Sequence, residues 1–167
     1  MSAHRESFSD HTVVHPARGR ANSPASLLLV DDDADVRHLT AKALSSVGHQ
    51  VDTAEDGAAG WAALQTNSYD LLITDHNMPK VSGVELLKQL RAARTALPAI
   101  LISGAMPTEE LNRHPRLQIE AMLLKPYTVE ELLGTVAEVL RATSGASKPD
   151  RTAADRQRQP SADGLQL

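Results

Sequence analysis

Short apolar segments alternate five times with segments of helical hydrophobic spacing between residues 26 and 143. The first apolar segment, Leu27–Asp31, suits a strand that is buried on both faces of a sheet, and the second, His49–Ala54, suits a short edge strand. A strand followed by a helix, repeated in this way, predicts a doubly wound α/β domain with a five-stranded parallel sheet. The other strands are predicted at Asp70–Asp75, Pro98–Ser103 and Ile119–Leu124.

Chain connectivity restricts the order of these strands. Crossover connections are short and right-handed, which leaves few topologies. We expect the order 2-1-3-4-5, the flavodoxin-like (βα)5 arrangement, in which strands 1 and 3 are neighbours at the topological switch point. Residues that follow strands 1 and 3 then share one crevice, although more than forty residues separate them in sequence.

Helix boundaries are marked by capping side chains and by proline. A Ser, Thr or Asp side chain before a helix accepts a hydrogen bond from its first turn, and a Glu three residues later can return one. Pro107 is expected to open a short fourth helix that Pro115 must end. The predicted caps are Asp33, Asp56, Ser82 with Glu85, and Thr128 with Glu131.

The composition outside the alternating region differs from the composition within it. Residues 1–25 and 144–167 are polar and lack an apolar period, so they cannot bury enough apolar surface to offset the entropy of ordering. We therefore predict a disordered N-terminal tail, one folded domain at residues 26–143 and a disordered C-terminal tail.

The predicted domain is acidic, with 10 Lys and Arg against 16 Asp and Glu in residues 26–143. This charge argues against nucleic-acid binding by the folded part. No segment approaches the ~20 apolar residues of a membrane helix, so no membrane partner is expected. The chain has no cysteine, which excludes disulfides and thiolate metal sites, and the cytoplasm is the expected compartment.

Charged side chains stand where three of the predicted strands end. Asp31 and Asp32 follow the first apolar run, and Asp75 ends the third. Lys125 follows the fifth. Three carboxylates in one crevice need a cation, because two charges 4 Å apart repel by about 4 kcal/mol at an effective dielectric near 20. Oxygen ligands without cysteine or clustered histidine favour Mg²⁺, which binds one or two carboxylates plus a phosphate and keeps several waters.

This pattern indicates phosphoryl transfer to a carboxylate. Asp75 is central and is the candidate nucleophile, whose oxygen would attack phosphorus to give an aspartyl phosphate. Lys125 would place a positive charge beside one phosphate oxygen, and Ser103, at the end of the fourth strand, would donate a hydrogen bond to another. Positioning and charge would then stabilise the transferring group.

Five ordered segments form a recognisable set, namely Leu28–Asp33, Asp70–Pro79, Ser82-Gly83, Ile100–Gly104 and Leu124–Tyr127. With these segments the chain resembles the receiver domain of bacterial two-component response regulators, of the single-domain, chemotaxis-regulator-like type. The resemblance covers residues 26–141. Five motifs in the correct order and spacing are specific, whereas an acidic doublet alone would be weak.

The resemblance implies roles for the acidic residues. Asp75 would be the phosphoacceptor and would also contact Mg²⁺. Asp32 would bind the metal directly and Asp31 mostly through water. Asn77, two residues after the phosphoacceptor, would give its backbone carbonyl to the metal.

The resemblance also implies roles on the phosphate side, with two departures from the family pattern. Lys125 matches the family's phosphate-binding lysine, with a cis bond to Pro126, and Ser103 matches the hydroxyl that turns toward the phosphate. The family's aromatic switch residue lies three positions before the lysine, where this chain has Met122. Pro115 shortens the fourth helix, in the region that is the family's usual signalling face.

By resemblance, the chain is expected to act in two-component or phosphorelay signalling. It would receive phosphate from a sensor histidine kinase or a phosphotransfer protein and would signal by contact with a downstream protein that the sequence does not identify. It would catalyse only its own phosphorylation and dephosphorylation, and so would not be an enzyme in the usual sense. The resemblance also allows a homodimer through helix 4, strand 5 and helix 5.

Two other interpretations fit parts of the sequence. A degenerate receiver that only binds partners would account for Met122 and the short fourth helix. An aspartate-nucleophile phosphatase resembling the haloacid dehalogenase class is compatible with Asp31-x-Asp33, and Asp31 would then be the nucleophile. Residues 26–143 leave little room for the cap domain or extra strands that this class usually carries.

Overall fold

The computed structural model describes residues 24–144, in which strands and helices alternate. None of the helices in this range is long and apolar enough to cross a membrane. The two predicted tails fall outside the described residues, except for their innermost positions. The strands are β1 (Ser26–Val30), β2 (Gln50–Ala54), β3 (Leu71–Asp75), β4 (Ala99–Ser103) and β5 (Ala121–Leu124). The helices are α1 (Ala34–Ser46), α2 (Gly57–Thr66), α3 (Gly83–Ala92), α4 (Thr108–Arg113) and α5 (Val129–Ser144).

The sheet has the predicted topology. Its order is β2-β1-β3-β4-β5 and every pairing is parallel, which confirms the doubly wound arrangement. The predicted segments begin one or two residues too early for β2 to β5. β1 ends at Val30 rather than Asp31: the Asp31 amide still donates to the Ala54 carbonyl of β2 (3.2 Å), but the Asp31 carbonyl accepts a hydrogen bond from the Arg37 side chain (2.6 Å).

The sheet separates two apolar layers. Side chains on one face pack with α1 and α5, and those on the other pack with α2 and α3. Alternation along β1 sends Leu27 and Leu29 to the first layer and Leu28 and Val30 to the second. All four are at most 1% exposed. Each such burial contributes roughly 1.5–3 kcal/mol, so the strands that carry the site are held firmly on both sides.

The predicted caps of α1, α2 and α5 are formed. Asp33 accepts hydrogen bonds from two amides in the first turn of α1, and Asp56 accepts one from α2. Thr128 and Glu131 form a reciprocal capping box, since each backbone N–H donates to the other's side chain (2.7 and 3.1 Å).

Helix α3, which follows the third strand, is fixed at both ends. Ser82 Oγ accepts a hydrogen bond from the Glu85 amide (3.2 Å), but the predicted box is only half formed, because the Glu85 carboxylate pairs with Lys88 (3.2 Å) instead. Near the other end, the Arg91 guanidinium binds two connecting segments of the chain. Its acceptors are the backbone carbonyls of Thr95, Leu97, Leu117 and Gln118.

Helix α4 is short, as the two prolines predict. It runs for six residues between Pro107 and Pro115, and none of its residues is buried. Its Leu111 packs against the core layer that contains α3 but is only partly buried. The helix therefore contributes less to the core than the four longer helices do.

Candidate functional site

The predicted site residues lie along the carboxyl edge of the sheet. The register of β1 with β3 places Asp31 and Asp75 at the same level. The register of β4 with β5 places Ser103 beside the residue that precedes Lys125. Four segments that are far apart in sequence thus end at one edge, as expected for a parallel sheet.

Lys125 joins the two buried carboxylates. Its Nζ lies 2.6 Å from Asp75 Oδ1 and 3.7 Å from Asp31 Oδ2. The two aspartate side chains are 4% and 2% exposed, whereas the lysine side chain is 35% exposed. The ammonium therefore reaches in from the rim and balances charge that solvent cannot screen.

The pKa values reflect this crowding. Burial raises the pKa of Asp31, and the charges of Asp75 and Asp32 add to the rise. The Asp33 amide and the Lys125 charge lower it, but the pKa stays above its ordinary value. Burial lowers the pKa of Lys125, but its hydrogen bond to Asp75 and the charge of Asp31 raise the pKa more, so it lies above its ordinary value.

The acidic loop after β1 is held through its backbone. The Asp33 amide donates to Asp31 Oδ1 (2.9 Å), and the Asp31 amide donates to the Ala54 carbonyl of β2 (3.2 Å). Arg37 Nη1 donates to the Asp31 carbonyl (2.6 Å). Asp32 lies between these fixed residues with an exposed side chain. Sequence reasoning missed Arg37, because nothing in the pattern of α1 distinguishes it from a solvated surface charge.

The loop after β3 presents both an amide and a carbonyl to the site. The Asn77 amide donates to Asp75 Oδ2 (2.7 Å), so that each oxygen of the central carboxylate has one partner. Among residues 24–144, no donor is bound to the Asn77 carbonyl. The Gly83 amide closes the loop by donating to the His76 carbonyl (3.1 Å).

Ser103 lies where it was predicted, but its hydroxyl is engaged elsewhere. The residue is 1% exposed at the end of β4. Its Oγ donates to the Ala105 carbonyl (2.6 Å) and accepts from the Ala105 amide (3.4 Å). The hydroxyl would have to rotate away from its own loop to reach a group on Asp75.

A polar bridge that the sequence did not reveal runs from the site loop to α4. His76 Nε2 lies 3.5 Å from Glu110 Oε2, and Lys88 Nζ of α3 lies 3.8 Å from the other oxygen of Glu110. His76 Nδ1 is buried and has no hydrogen-bond partner in the described part of the chain. The bridge joins residues that are 22 to 34 positions apart in sequence, so no local pattern could have predicted it.

Met122, the predicted switch residue, lies on β5 three positions before Lys125. It is half-buried on β5 and packs against the same core layer as Leu111 of α4. A methionine side chain is flexible and fills irregular space, so it can pack here without a ring. Whether Met122 changes position on activation stays a prediction.

The donor set fits a magnesium ion that is bound partly through water. All donors are oxygens, two of them on buried carboxylates of like charge, and no group within residues 24–144 donates to the Asn77 carbonyl. Within residues 24–144 no group of three or more His, Cys, Asp or Glu side chains could hold a metal ion by itself. Mg²⁺ commonly binds one or two carboxylates and completes its coordination shell with water, so fewer than three protein carboxylates are enough for a site here.

Asp31→Asn is expected to stabilise the metal-free protein at pH 7 by roughly 1 kcal/mol, because it removes a buried charge beside Asp75. The folded-state pKa of Asp31 lies above 3.8, so ionisation opposes folding as pH rises from that value through the folded pKa. The gain in the free energy of unfolding should be absent below pH 3.8, where Asp31 is protonated in both states, and present at pH 7. Urea unfolding at both pH values measures it.

The control for this prediction is Asp35→Asn, which makes the same chemical change at an exposed residue in the first turn of α1. It should lose a few tenths of a kcal/mol, since an acidic side chain favours a helix start. A metal-free Asp31→Asn protein less stable than the native chain at pH 7 would contradict the prediction.

The similarity to known proteins covers the region that carries this site. A family model for the response regulator receiver domain matches residues 27–137. Response regulator MprA of Mycobacterium sp. (strain KMS) is 32% identical over 130 residues, which are 78% of this chain and 56% of MprA. The chain spans about half the length of the curated relatives it matches first.

Solved structures agree with the fold. The receiver domain of Francisella response regulator 1452 is 28% identical with a TM-score of 0.65, covering 71% of this chain and 98% of that domain. The chemotaxis protein CheY4 of Vibrio cholerae is 29% identical with a TM-score of 0.65, covering 70% of this chain and 99% of CheY4.

Proposed function

The chain belongs to the receiver-domain family of two-component response regulators, and on that basis we propose that Asp75 is its phosphoacceptor. One observation carries the proposal. Asp75 Oδ1 lies 2.6 Å from Lys125 Nζ, and Oδ2 accepts the Asn77 amide at 2.7 Å. This buried carboxylate lies at the carboxyl end of a central strand, and one cation and one amide fix its orientation. It is therefore held in a defined direction for attack on a phosphorus atom.

The proposed reaction moves one phosphoryl group. A carboxylate oxygen of Asp75 forms a bond to phosphorus, and the bond from phosphorus to the donor breaks. The electron pair leaves with the donor, which is a carboxylate for an acyl phosphate or an imidazole nitrogen for a phosphohistidine. No proton transfer is needed for this step, so positioning and charge account for the catalysis. Lys125, freed from Asp75, would bind an oxygen of the product.

The residues proposed to hold Mg²⁺ are Asp31, Asp32, Asp75 and the Asn77 carbonyl. When bound, the ion would neutralise negative charge on the phosphoryl oxygens and relieve the repulsion between Asp31 and Asp75. Asp32 has the exposed side chain of the set and is proposed as the direct protein ligand. Asp31 is almost completely buried, which suits a contact through water.

Response to phosphorylation is proposed to begin at Ser103. Its hydroxyl would exchange the Ala105 carbonyl for a phosphate oxygen, which would free the loop between β4 and α4. Met122, half-buried beside this region, would be the apolar group that repacks. Because Met122 has no ring, its side chain should move less on phosphorylation than an aromatic side chain at this position would.

Receiver domains of this family interact with histidine kinases, and the proposed donor is such a kinase or a phosphotransfer protein. The receiver unit is proposed to be residues 26–143, and its signal to pass by contact with another protein. A homodimer through α4, β5 and α5 is part of the proposal. The acidic charge of this unit supports a protein rather than a nucleic-acid partner. The chain would turn over no substrate other than its own aspartyl phosphate.

The phosphatase interpretation has less support. It requires Asp33 to serve as a second catalytic carboxylate beside Asp31. The Asp33 side chain is instead occupied in capping α1, where it accepts the amides of Asp35 (2.9 Å) and Val36 (3.1 Å). A carboxylate used in this way is not available for proton transfer to a substrate.

The proposal is tested by incubating the full chain with Mg²⁺ and acetyl phosphate and locating the phosphate by mass spectrometry. We expect an acid-stable, base-labile phosphate on the peptide that contains Asp75. Phosphate on the peptide that contains Asp31 would instead support the phosphatase interpretation. A chain that binds Mg²⁺ but takes no phosphate would overturn the proposal in favour of a binding module.

A further inference from the structure

Arg37 lies in an unusual place for a cation. It follows the first three residues of α1, where the unpaired amides of the helix carry partial positive charge and disfavour a basic side chain. Within residues 24–144, no carboxylate oxygen lies within 4.0 Å of its guanidinium. Neither the helix nor an ion pair explains its position.

The contact that does hold Arg37 leads to the acidic loop. Nη1 donates to the Asp31 backbone carbonyl at 2.6 Å, reaching back six residues from the helix. This carbonyl is the first after β1, and none of the five described strands donates a backbone hydrogen bond to it. A hydrogen bond from a charged donor is among the stronger hydrogen bonds in proteins, so it can offset an unfavourable place on a helix.

The bond completes the fixation of the loop. The Asp31 amide is bound to Ala54 of β2, and the Asp31 carboxylate receives the Asp33 amide. With the carbonyl bound to Arg37, all three polar groups of Asp31 have a partner. The peptide that leads into Asp32 is therefore held on one side by Arg37, and the backbone direction of Asp32 depends on that bond.

We propose that Arg37 is a positioning residue for the magnesium-binding loop, holding Asp31 and Asp32 in the arrangement that the ion requires. This inference rests on the proposed function, since it concerns the same site. Arg37 acts through the Asp31 carbonyl and touches neither the ion nor the phosphate. Residues that orient metal ligands in this way commonly affect affinity about 10- to 100-fold when they are replaced.

The direction of the change in Mg²⁺ affinity distinguishes a positioning role of Arg37 from a purely electrostatic one. A guanidinium near carboxylates repels Mg²⁺, so if charge alone mattered its removal would tighten metal binding. If Arg37 positions the loop, its removal should weaken binding. A role in stability alone would leave the affinity of the folded protein unchanged.

The experiment is a calorimetric titration of the full chain with MgCl₂, comparing the native protein with Arg37→Ala, Arg37→Lys and Lys42→Ala. Arg37→Ala should bind Mg²⁺ at least about tenfold more weakly. Arg37→Lys keeps one charged donor and should recover most of the affinity, to within about threefold of the native value. Lys42→Ala removes an exposed positive charge farther along α1 and should leave affinity nearly unchanged. Equal or tighter binding by Arg37→Ala overturns the proposal.

A second measurement needs no metal. Amide hydrogen exchange at Asp33, whose N–H is bound to Asp31 Oδ1, should be faster in metal-free Arg37→Ala than in metal-free Lys42→Ala. Equal exchange in the two variants would overturn the positioning role. If Arg37→Ala does not fold, the same comparison is made with Arg37→Gln. A native chain that binds no Mg²⁺ would refute the proposed magnesium site, while the exchange rates would still decide whether Arg37 fixes the loop.

Discussion

Asp75→Asn is expected to reduce phosphorylation of the chain by acetyl phosphate and Mg²⁺ to background. The amide oxygen of Asn carries no full negative charge and does not attack phosphorus as a carboxylate does. The substitution preserves the shape of the side chain and can keep the hydrogen bond from the Asn77 amide. The variant should therefore fold, and intact-mass spectrometry after incubation with the donor measures the loss of label.

Asp35→Asn serves as the matched control for this experiment. It makes the same chemical change at an exposed residue of α1 and should leave labelling at the native level. Label that persists in Asp75→Asn but disappears in Asp31→Asn would show that the nucleophile is Asp31. Circular dichroism of each variant establishes that a loss of label is not a loss of fold.

Gly83→Ala is expected to destabilise the protein by about 3 kcal/mol, because overpacking against backbone cannot be relieved by a side-chain rotation. A Cβ at this position would collide with the carbonyl oxygen of Asp75 and would come within 3.0 Å of Leu101 Cδ1. The start of α3 cannot simply move away, since the Gly83 amide is bound to the His76 carbonyl (3.1 Å). Urea unfolding at pH 7 measures the loss.

Gly134→Ala is the matched control, because α5 offers a glycine with open space around it. A Cβ there meets no atom within 4 Å. This change should stabilise the protein by about 0.5–1 kcal/mol, since alanine loses less conformational entropy in a helix. The two substitutions should thus have opposite signs. A neutral or stabilising Gly83→Ala would mean that the loop after Asp75 is not packed closely against α3.

Gly83→Ala also connects stability with the proposed chemistry. The oxygen that its Cβ would displace belongs to the backbone of Asp75 itself. A shift of that peptide would move the carboxylate away from Lys125, at present 2.6 Å away. The variant should therefore lose phosphorylation rate as well as stability, whereas Gly134→Ala should lose neither.

The alternation of strands and helices and most caps could be predicted because they depend on local patterns, and the strand order then followed from the rules for crossover connections. A hydrophobic run such as Leu27–Val30 predicts a buried strand regardless of its position in the sheet. The Asp33 side chain caps α1 by accepting hydrogen bonds from amides only two and three residues later in the chain. The strand boundaries were less accurate. Asp31 was predicted within the first strand, but the strand ends at Val30 and the Asp31 carbonyl accepts a hydrogen bond from the Arg37 side chain instead of from a neighbouring strand.

The sequence predicted which residues form the candidate site, but it did not predict the contacts between them. Asp31, Asp75 and Lys125 were expected to converge, and the two ion-pair distances of Lys125 agree with that expectation. Ser103 was placed correctly, yet its hydroxyl bonds to Ala105 rather than facing Asp75. The choice between these partners depends on a side-chain torsion, which residue type does not determine.

The periodicity of apolar residues and the charges at the ends of apolar runs were thus enough to establish a doubly wound sheet with an acidic carboxyl edge. Both are properties of short segments, and a parallel sheet aligns such segments by its own geometry. The bond from Arg37 to Asp31 and the bridge from His76 to Glu110 were decided only when the chain folded. Each depends on where helices settle against the sheet and on which polar groups are then left buried without water, and that competition involves the whole tertiary structure.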